Sequence, residues 1–169
     1  MMLNKKPKNK LDSFEQVYGY AMNLLNYRDY SGKDMLLKLK SKGASEEDAL
    51  KAIAKLKENS FIVEEHYAQQ VFRAWLSKKT YGRQHLAMEL YCKNVDEECV
   101  SEIMAAFTEE QELLNAERAT KEFIFRNRRK LQNYDEKLVA AAARFMMNRG
   151  FSTRYIQVLL EAIRAESNI

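Results

Sequence analysis

Three times in this chain a cation is followed by Gly or Asn, then an apolar residue, then Ser or Asp: Lys42-Gly43-Ala44-Ser45, Lys93-Asn94-Val95-Asp96 and Arg149-Gly150-Phe151-Ser152. Each phrase spells a joint between two helices. Gly and Asn accept the left-handed conformation that ends a helix, and the cation before them favours the negative end of the helix dipole. Ser or Asp caps the helix that follows, and the apolar residue between staples the corner. A chain that writes this joint three times is committed to helices meeting at tight corners.

The flanks carry matching amphipathic stripes. At four, seven, eight and eleven places after Ser45 stand Ala49, Ala52, Ile53 and Leu56; after Asp96, Val100, Ile103, Met104 and Phe107; after Ser152, Ile156, Leu159, Leu160 and Ile163. Counting back four, seven and eight from the turn residue gives Leu39, Leu36 and Met35 from Gly43, Leu90, Ala87 and Leu86 from Asn94, and Met146, Ala143 and Ala142 from Gly150. Each set lines one face at helical period. Recurrence of the whole pattern marks a repeat of helical units.

The turn residues lie 51 and 56 positions apart, too far for two ordinary helices and a turn, so each unit needs a third helix. Phe14, Val17, Tyr18, Ala21 and Leu25 mark it in the first unit, and Tyr67, Ala68, Val71, Phe72 and Trp75 in the second. In the third, the stretch from Gln111 to Lys130 carries Leu113, Ala116, Thr120, Phe123 and Ile124 on one side. The expected fold is all-α: a basic tail over 1–12, then three tandem three-helix repeats over 13–62, 63–108 and 109–169 in an elongated, curved arrangement. One Pro and five Gly leave little material for turn-rich sheet, and 31% charged with 46% hydrophobic residues fits amphipathic helices.

Several function classes lose support. The basic start MMLNKKPKNK is followed by no signal-peptide core, and no stretch approaches the ~20 apolar residues that span a bilayer, so a cytoplasmic chain with no membrane partner is expected. Cys92 and Cys99 lack further metal-ligand spacing and read as buried or half-buried free thiols. His66 and His85 sit in no nucleophile motif, and there is no phosphate loop, HExxH or GxSxG. The acids of Ser45-Glu46-Glu47-Asp48 and Asp96-Glu97-Glu98 belong to helix first turns, with Asp48 placed to complete a capping box. No catalytic residue, cofactor or metal ligand is assigned, and no enzymatic activity is expected.

Charge is the remaining lead. Residues 1–62 carry twelve Lys and Arg against eight Asp and Glu, residues 63–108 five against seven, and residues 109–169 eleven against nine. The ends are basic and the middle acidic. Lys5, Lys6, Lys8 and Lys10 crowd the tail, Lys33, Lys38, Lys40 and Lys42 one helix, and Arg126, Arg128, Arg129 and Lys130 the end of another. A turn of ~100° per residue puts Lys33 and Lys40 opposite the Met35, Leu36 and Leu39 stripe, facing out. Exposed cations at this density suit phosphates, with Tyr27 and Tyr30 nearby for stacking, or an acidic protein surface.

The stretch Arg28-Asp29-Tyr30-Ser31-Gly32-Lys33-Asp34-Met35-Leu36-Leu37-Lys38-Leu39, ending in Lys42-Gly43, resembles the start of the RecX family of bacterial recombinase regulators. Phe61-Ile62-Val63-Glu64-Glu65-His66-Tyr67-Ala68 resembles its next segment, and Tyr81-Gly82-Arg83 with Glu89-Leu90 and Lys93-Asn94 is similar to the helix after that. Asp34, Met35 and Asn94 stand where the family has Glu, Leu and Gly.

The resemblance implies a monomeric protein that binds the filament formed by the RecA recombinase on single-stranded DNA, in its helical groove. Strand exchange, ATP hydrolysis and the filament's coprotease activity would fall, with the protein touching both RecA and the DNA backbone. The candidate contact residues are Arg28, Lys33, Lys40, Lys42, Arg73, Lys79, Arg83, Arg126, Arg128, Arg129 and Arg149. Each also has a plain role as a solvated or helix-capping cation. Two other readings of the residues stay open: a free-standing DNA-binding protein of helix-turn-helix type, and a helical-repeat scaffold for another protein. The acids opening the helices after Ser45 and Asp96 weigh against the former.

Overall fold

The computed structural model of the chain describes residues 11–131 and 135–167. The basic cluster Lys5, Lys6, Lys8 and Lys10 lies outside the described residues. Among the described residues there are nine α-helices and no strand. They are α1 (Phe14–Leu25), α2 (Gly32–Ser41), α3 (Glu46–Glu58), α4 (Glu64–Leu76), α5 (Arg83–Cys92), α6 (Glu97–Ala106), α7 (Glu109–Asn127), α8 (Glu136–Asn148) and α9 (Thr153–Ser167).

The three joints fall between α2 and α3, α5 and α6, and α8 and α9. Gly43, Asn94 and Gly150 take φ of 82°, 54° and 75°. At the first, the N–H of Gly43 donates to the Lys40 carbonyl at 2.9 Å and that of Ala44 to Leu39 at 3.2 Å; at the third, Gly150 donates to Met147 at 2.9 Å and Phe151 to Met146 at 3.2 Å. These paired bonds satisfy helix-end carbonyls that otherwise have no donor. Ser45 Oγ then accepts the Asp48 N–H at 3.0 Å, and Asp96 Oδ1 accepts the Glu98 N–H at 3.0 Å.

One detail differs from the capping-box expectation. The Asp48 carboxylate accepts the Ser45 hydroxyl at 2.7 Å instead of reaching back to the Ser45 N–H. The reciprocal box forms at the start of α7, where Thr108 Oγ1 accepts from the Gln111 N–H and Gln111 Oε1 accepts from the Thr108 N–H. Two further left-handed residues, Ser60 and Lys79, both at φ 57°, follow α3 and α4 without a glycine.

The chain divides into two compact units: one runs to Gln70 and adds Lys93–Cys99, and the other holds Val71–Cys92 and the residues from Val100 onward. In the first unit, Val17, Ala21, Met35, Leu39, Ala49, Ala52 and Leu56 are fully buried where α1, α2 and α3 pack together. The start of α2 is held from outside its own helix: the Gly32 N–H donates to Glu64 Oε1 at 2.9 Å, and Lys57 Nζ lies 2.8 Å from the same oxygen. The Tyr67 hydroxyl donates to the Lys93 carbonyl at 3.0 Å. Burial pushes the Tyr67 phenol above its ordinary pKa, with the nearby Asp34 charge in the same direction, so the proton needed for this bond is kept.

In the second unit, α7, α8 and α9 enclose Ala116, Ala119, Phe123, Leu138, Ala142, Met146, Leu159 and Ile163. The buried stripe of α7 is Glu112, Asn115, Ala116, Ala119, Thr120 and Phe123, while Leu113 is 40% exposed, contrary to the stripe expected from hydrophobicity alone. Polar residues with partners inside the unit displace Leu113: Asn115 Nδ2 donates to the Tyr81 carbonyl at 3.0 Å, and Glu112 receives the Arg83 N–H at 2.8 Å. Cys99 is buried as expected, but Cys92 is exposed, because it falls on the outer side of α5, opposite Leu86 and Leu90.

Backbones approach closely where α5 begins. The N–H of Gly82 donates to the Arg149 carbonyl at 2.8 Å, and that of Gln84 to the Gly150 carbonyl at 3.1 Å. A β-carbon on Gly150 would stand 2.2 Å from the His85 nitrogen, and one on Gly82 would stand 2.6 Å from the Gly150 oxygen. Beside this contact Trp75 Nε1 donates to His85 Nδ1 at 2.9 Å, and the Trp75 ring meets Phe107 edge-on at 5.2 Å.

Two measurements test this packing. Gly150→Ala combines a left-handed β-carbon with a backbone collision, and urea unfolding should show a loss of about 3 kcal/mol or more; a loss near 0.5 kcal/mol would show that the two backbones can part cheaply. Burial, and next the neighbouring Lys78 charge, lower the His85 pKa, with Glu89 opposing them. The unfolded chain therefore binds the proton first as pH falls. Stability from neutral His85 should be fully present above the unfolded pKa of ~6.5 and be lost as pH drops through that value toward the folded pKa. His85→Asn, which keeps an acceptor but does not titrate, should flatten the fall in unfolding midpoint between about pH 7 and pH 5.5.

Candidate partner and nucleic-acid interface

The eleven cations expected to meet a partner separate by what they touch. Arg83 and Arg149 are engaged inside the second unit. Arg83 Nη1 donates to the Met104 carbonyl at 2.6 Å, its Nη2 donates to the Phe107 carbonyl, and its Nε lies 3.6 Å from Glu112 Oε2. It thus neutralises carbonyls at the C-terminal end of α6, while Glu112 caps the first N–H of α5. Arg149, with a side chain only 17% exposed, lies 3.1 Å from Glu122 Oε1 and 3.7 Å above the centre of the Phe145 ring.

The remaining nine reach solvent. On the first unit, Lys33, Lys40 and Lys42 stand along the outer side of α2, with Lys40 3.2 Å from Glu46 and Lys42 at the C-cap. Arg28 Nη2 lies 2.8 Å from Asp34 Oδ2, and its guanidinium sits 3.6 Å from the centre of the Tyr30 ring. Tyr30 itself is buried and open to no base, whereas Tyr27 is 88% exposed. On the second unit, Arg73 is exposed on α4 and Lys79 follows that helix in its left-handed turn.

The structure brings Arg126, Arg128 and Arg129 together at the end of α7. Arg126 shares Glu122 with Arg149, at 2.7 Å. The chain then turns tightly, with the Lys130 and Leu131 N–H groups donating to the Asn127 carbonyl at 2.7 and 3.2 Å. Leu131 and Leu138 are buried in the core on either side of the corner, and Asp135 caps α8 by accepting the Leu138 N–H at 2.8 Å. A cleft of about 340 Å³ opens there, floored by Leu138 and Ala141 and rimmed by Arg129, Lys130, Lys137 and Asp135.

Sequence reasoning missed two members of this corner. Phe125, 69% exposed, lies off the buried stripe of α7 at two residues from Phe123, and Lys137 follows the cap Asp135 by two. Both signals were readable as an aromatic out of phase and a cation just past a cap. Among the described residues no cluster of His, Cys, Asp and Glu is arranged to hold a metal ion, and no helix is long and apolar enough to cross a membrane.

The division of cations has a stability signature. Arg83→Ala leaves the α6 carbonyls without their donor and Glu112 without its cation, so denaturant unfolding should show a loss of about 2–4 kcal/mol. Arg128→Ala should change stability by no more than about 0.5 kcal/mol. Equal costs would contradict the separation of interior from surface cations.

Comparison with known proteins agrees with this architecture. Residues 18–56 match the family model described as RecX, first three-helix domain. The regulatory protein RecX of Chlorobium phaeobacteroides strain BS1 is 28% identical over 149 residues, covering 88% of this chain and 94% of that one. The regulatory protein RecX of Actinobacillus pleuropneumoniae serotype 5b is 30% identical over 145 residues, covering 84% of this chain and 89% of the relative. The crystal structure of RecX from Lactobacillus salivarius superimposes with a TM-score of 0.72 at 19% identity, over 90% of this chain and 97% of that one, so the all-α fold is shared. With that identity sustained over nearly the full length of both proteins, the chain belongs to the RecX family of regulatory proteins.

Proposed function

We propose that this chain is a negative regulator of the RecA recombinase, acting in the cytoplasm by binding the filament that RecA forms on single-stranded DNA. It acts by binding and not by catalysis, lying in the helical groove of the filament as a monomer and lowering strand exchange, ATP hydrolysis and coprotease activity. The observation that carries the reading is membership of a regulatory family over nearly the whole chain. The surface chemistry supports it: exposed cations stand in groups on both units, along α2 and at the end of α7.

In this proposal the chain works as a basic tail and three three-helix repeats over 13–62, 63–108 and 109–169, each presenting its outer face. Lys33, Lys40, Lys42, Arg73, Lys79, Arg126, Arg128 and Arg129 supply contacts to DNA phosphates or acidic RecA surface, joined by Arg28 if it leaves Asp34. Several modest contacts on one molecule add through effective concentration, so no single pair has to be strong. Arg83 and Arg149 serve the surface indirectly by fixing the helices that carry it.

The test is direct. Adding the purified protein to RecA assembled on single-stranded DNA should slow ATP hydrolysis and strand exchange. Unchanged hydrolysis at several-fold excess over RecA would overturn the reading.

A further inference from the structure

We propose that the corner between α7 and α8 is a single-strand nucleic-acid site, where an unpaired base stacks on Phe125 and the adjoining phosphates lie in the cleft rimmed by Arg129, Lys130 and Lys137. The inference rests on the regulatory reading above for the polymer's presence and goes beyond it in assigning the place and mode of contact. Three observations carry it.

The first is the ring. Phe125 is 69% exposed although its neighbour Phe123 is buried at 3%, so α7 turns one aromatic inward and presents the other to solvent. The Arg128 guanidinium lies 5.2 Å from the Phe125 ring centre. A cation beside an exposed ring is the arrangement on which bases stack, because a base offers a π-face to the ring and its phosphate a charge to the cation.

The second is the cleft, whose lining residues carry three cations against one acid. Asp135 is the acid among its lining residues, and its carboxylate is occupied as the cap of α8. Arg129, Lys130 and Lys137 make no ion pair among the described residues, in contrast to Arg126, which is held by Glu122. Three cations therefore line an opening of about 340 Å³ with no ion-pair partner among the described residues.

The third is register. Arg128, the C-cap of α7, follows Phe125 by three residues, the spacing at which neighbours on a helix share a face, and Arg129 comes next in the turn beyond the helix. The chain thus runs within four residues from the exposed ring, through the cation on it, to the first cation of the cleft. Duplex DNA keeps its bases paired and stacked inside, beyond reach of the ring. An acidic polymer that lacks bases would use the cations alone, and polyglutamate is the test for that.

The experiment uses the full chain without RecA and follows binding of a fluorescent oligothymidine of about a dozen nucleotides by anisotropy. Phe125→Ala should weaken binding about tenfold, while Phe125→Tyr keeps a stacking ring and should stay within about twofold of the parent. Arg129→Ala with Lys137→Ala should lower the slope of log affinity against log salt by about 1.4, since each single-strand phosphate contact contributes ~0.7. All three positions are exposed, and circular dichroism of each variant confirms that the fold is retained.

Unchanged affinity of Phe125→Ala would overturn the proposal, as would an equal loss for a duplex of the same length, or binding of polyglutamate as tight as that of the oligonucleotide. The RecA hydrolysis assay is read separately. Inhibition by the parent chain alongside unaltered oligonucleotide binding by Phe125→Ala removes this site and leaves the regulatory reading standing. Absence of inhibition with the expected oligonucleotide losses does the reverse.

Discussion

At Gly150 the chain has to end α8, turn, and let the backbone of His85 pass within contact of its α-carbon, which only a residue lacking a β-carbon can do. Unsatisfied helix ends meet at this point. The first N–H groups at the start of α5 have no acceptor in their own helix, and Gly82 and Gln84 donate instead to the Arg149 and Gly150 carbonyls of the turn after α8, whose own end carbonyls at Met146 and Met147 are answered within that turn. Between those two donors lies Arg83, whose N–H goes to Glu112 on α7 and whose guanidinium goes to carbonyls at the end of α6. Much of the second unit is held by ends of helices answering one another, with the apolar stripes filling the space this leaves.

Local chemistry was legible, and partners distant in sequence were not. The joints at Gly43, Asn94 and Gly150 and the stripes around them could be read because a left-handed cap and a 3.6-residue period are written within a few neighbouring residues. Ser60 and Lys79 adopt the same backbone conformation with no sequence sign, since a left-handed strain of ~1–2 kcal/mol is small enough for bonds such as Phe61 N–H to the Leu56 carbonyl to offset. Leu113 was misplaced for a related reason. Glu112 and Asn115 look like surface residues until their partners Arg83 and Tyr81, 29 and 34 positions away, are known.

The same distance effect governs the surface. A count of Lys and Arg treats all cations alike, yet Arg83 and Arg149 meet acids 29 and 27 positions away in sequence, and each serves a helix end or ring before any partner can claim it. Acids behave in parallel: Glu46, Glu47, Asp48, Glu97 and Glu98 sit in first turns, where the dipole accounts for them. Setting Arg83 and Arg149 aside leaves the exposed candidate cations grouped chiefly along α2 and at the end of α7.

The two basic groups differ in how firmly they are presented. Along α2 the cations stand on the outer side of a helix, and Lys40 is drawn toward Glu46 across the joint. At the α7 corner the dipole is already answered by Arg126 in the last turn, so Arg128, Arg129 and Lys130 exceed what the helix end requires. Buried Leu131 and Leu138 pin the chain on either side, and Asp135 caps α8. The described backbone on each side, through Leu131 and from Asp135 onward, is thereby held before any ligand arrives, and the cations it carries have mainly side-chain freedom to lose on binding. A phosphate placed there meets charge on a fixed frame, and that distinguishes this corner from an ordinary solvated run of Lys and Arg.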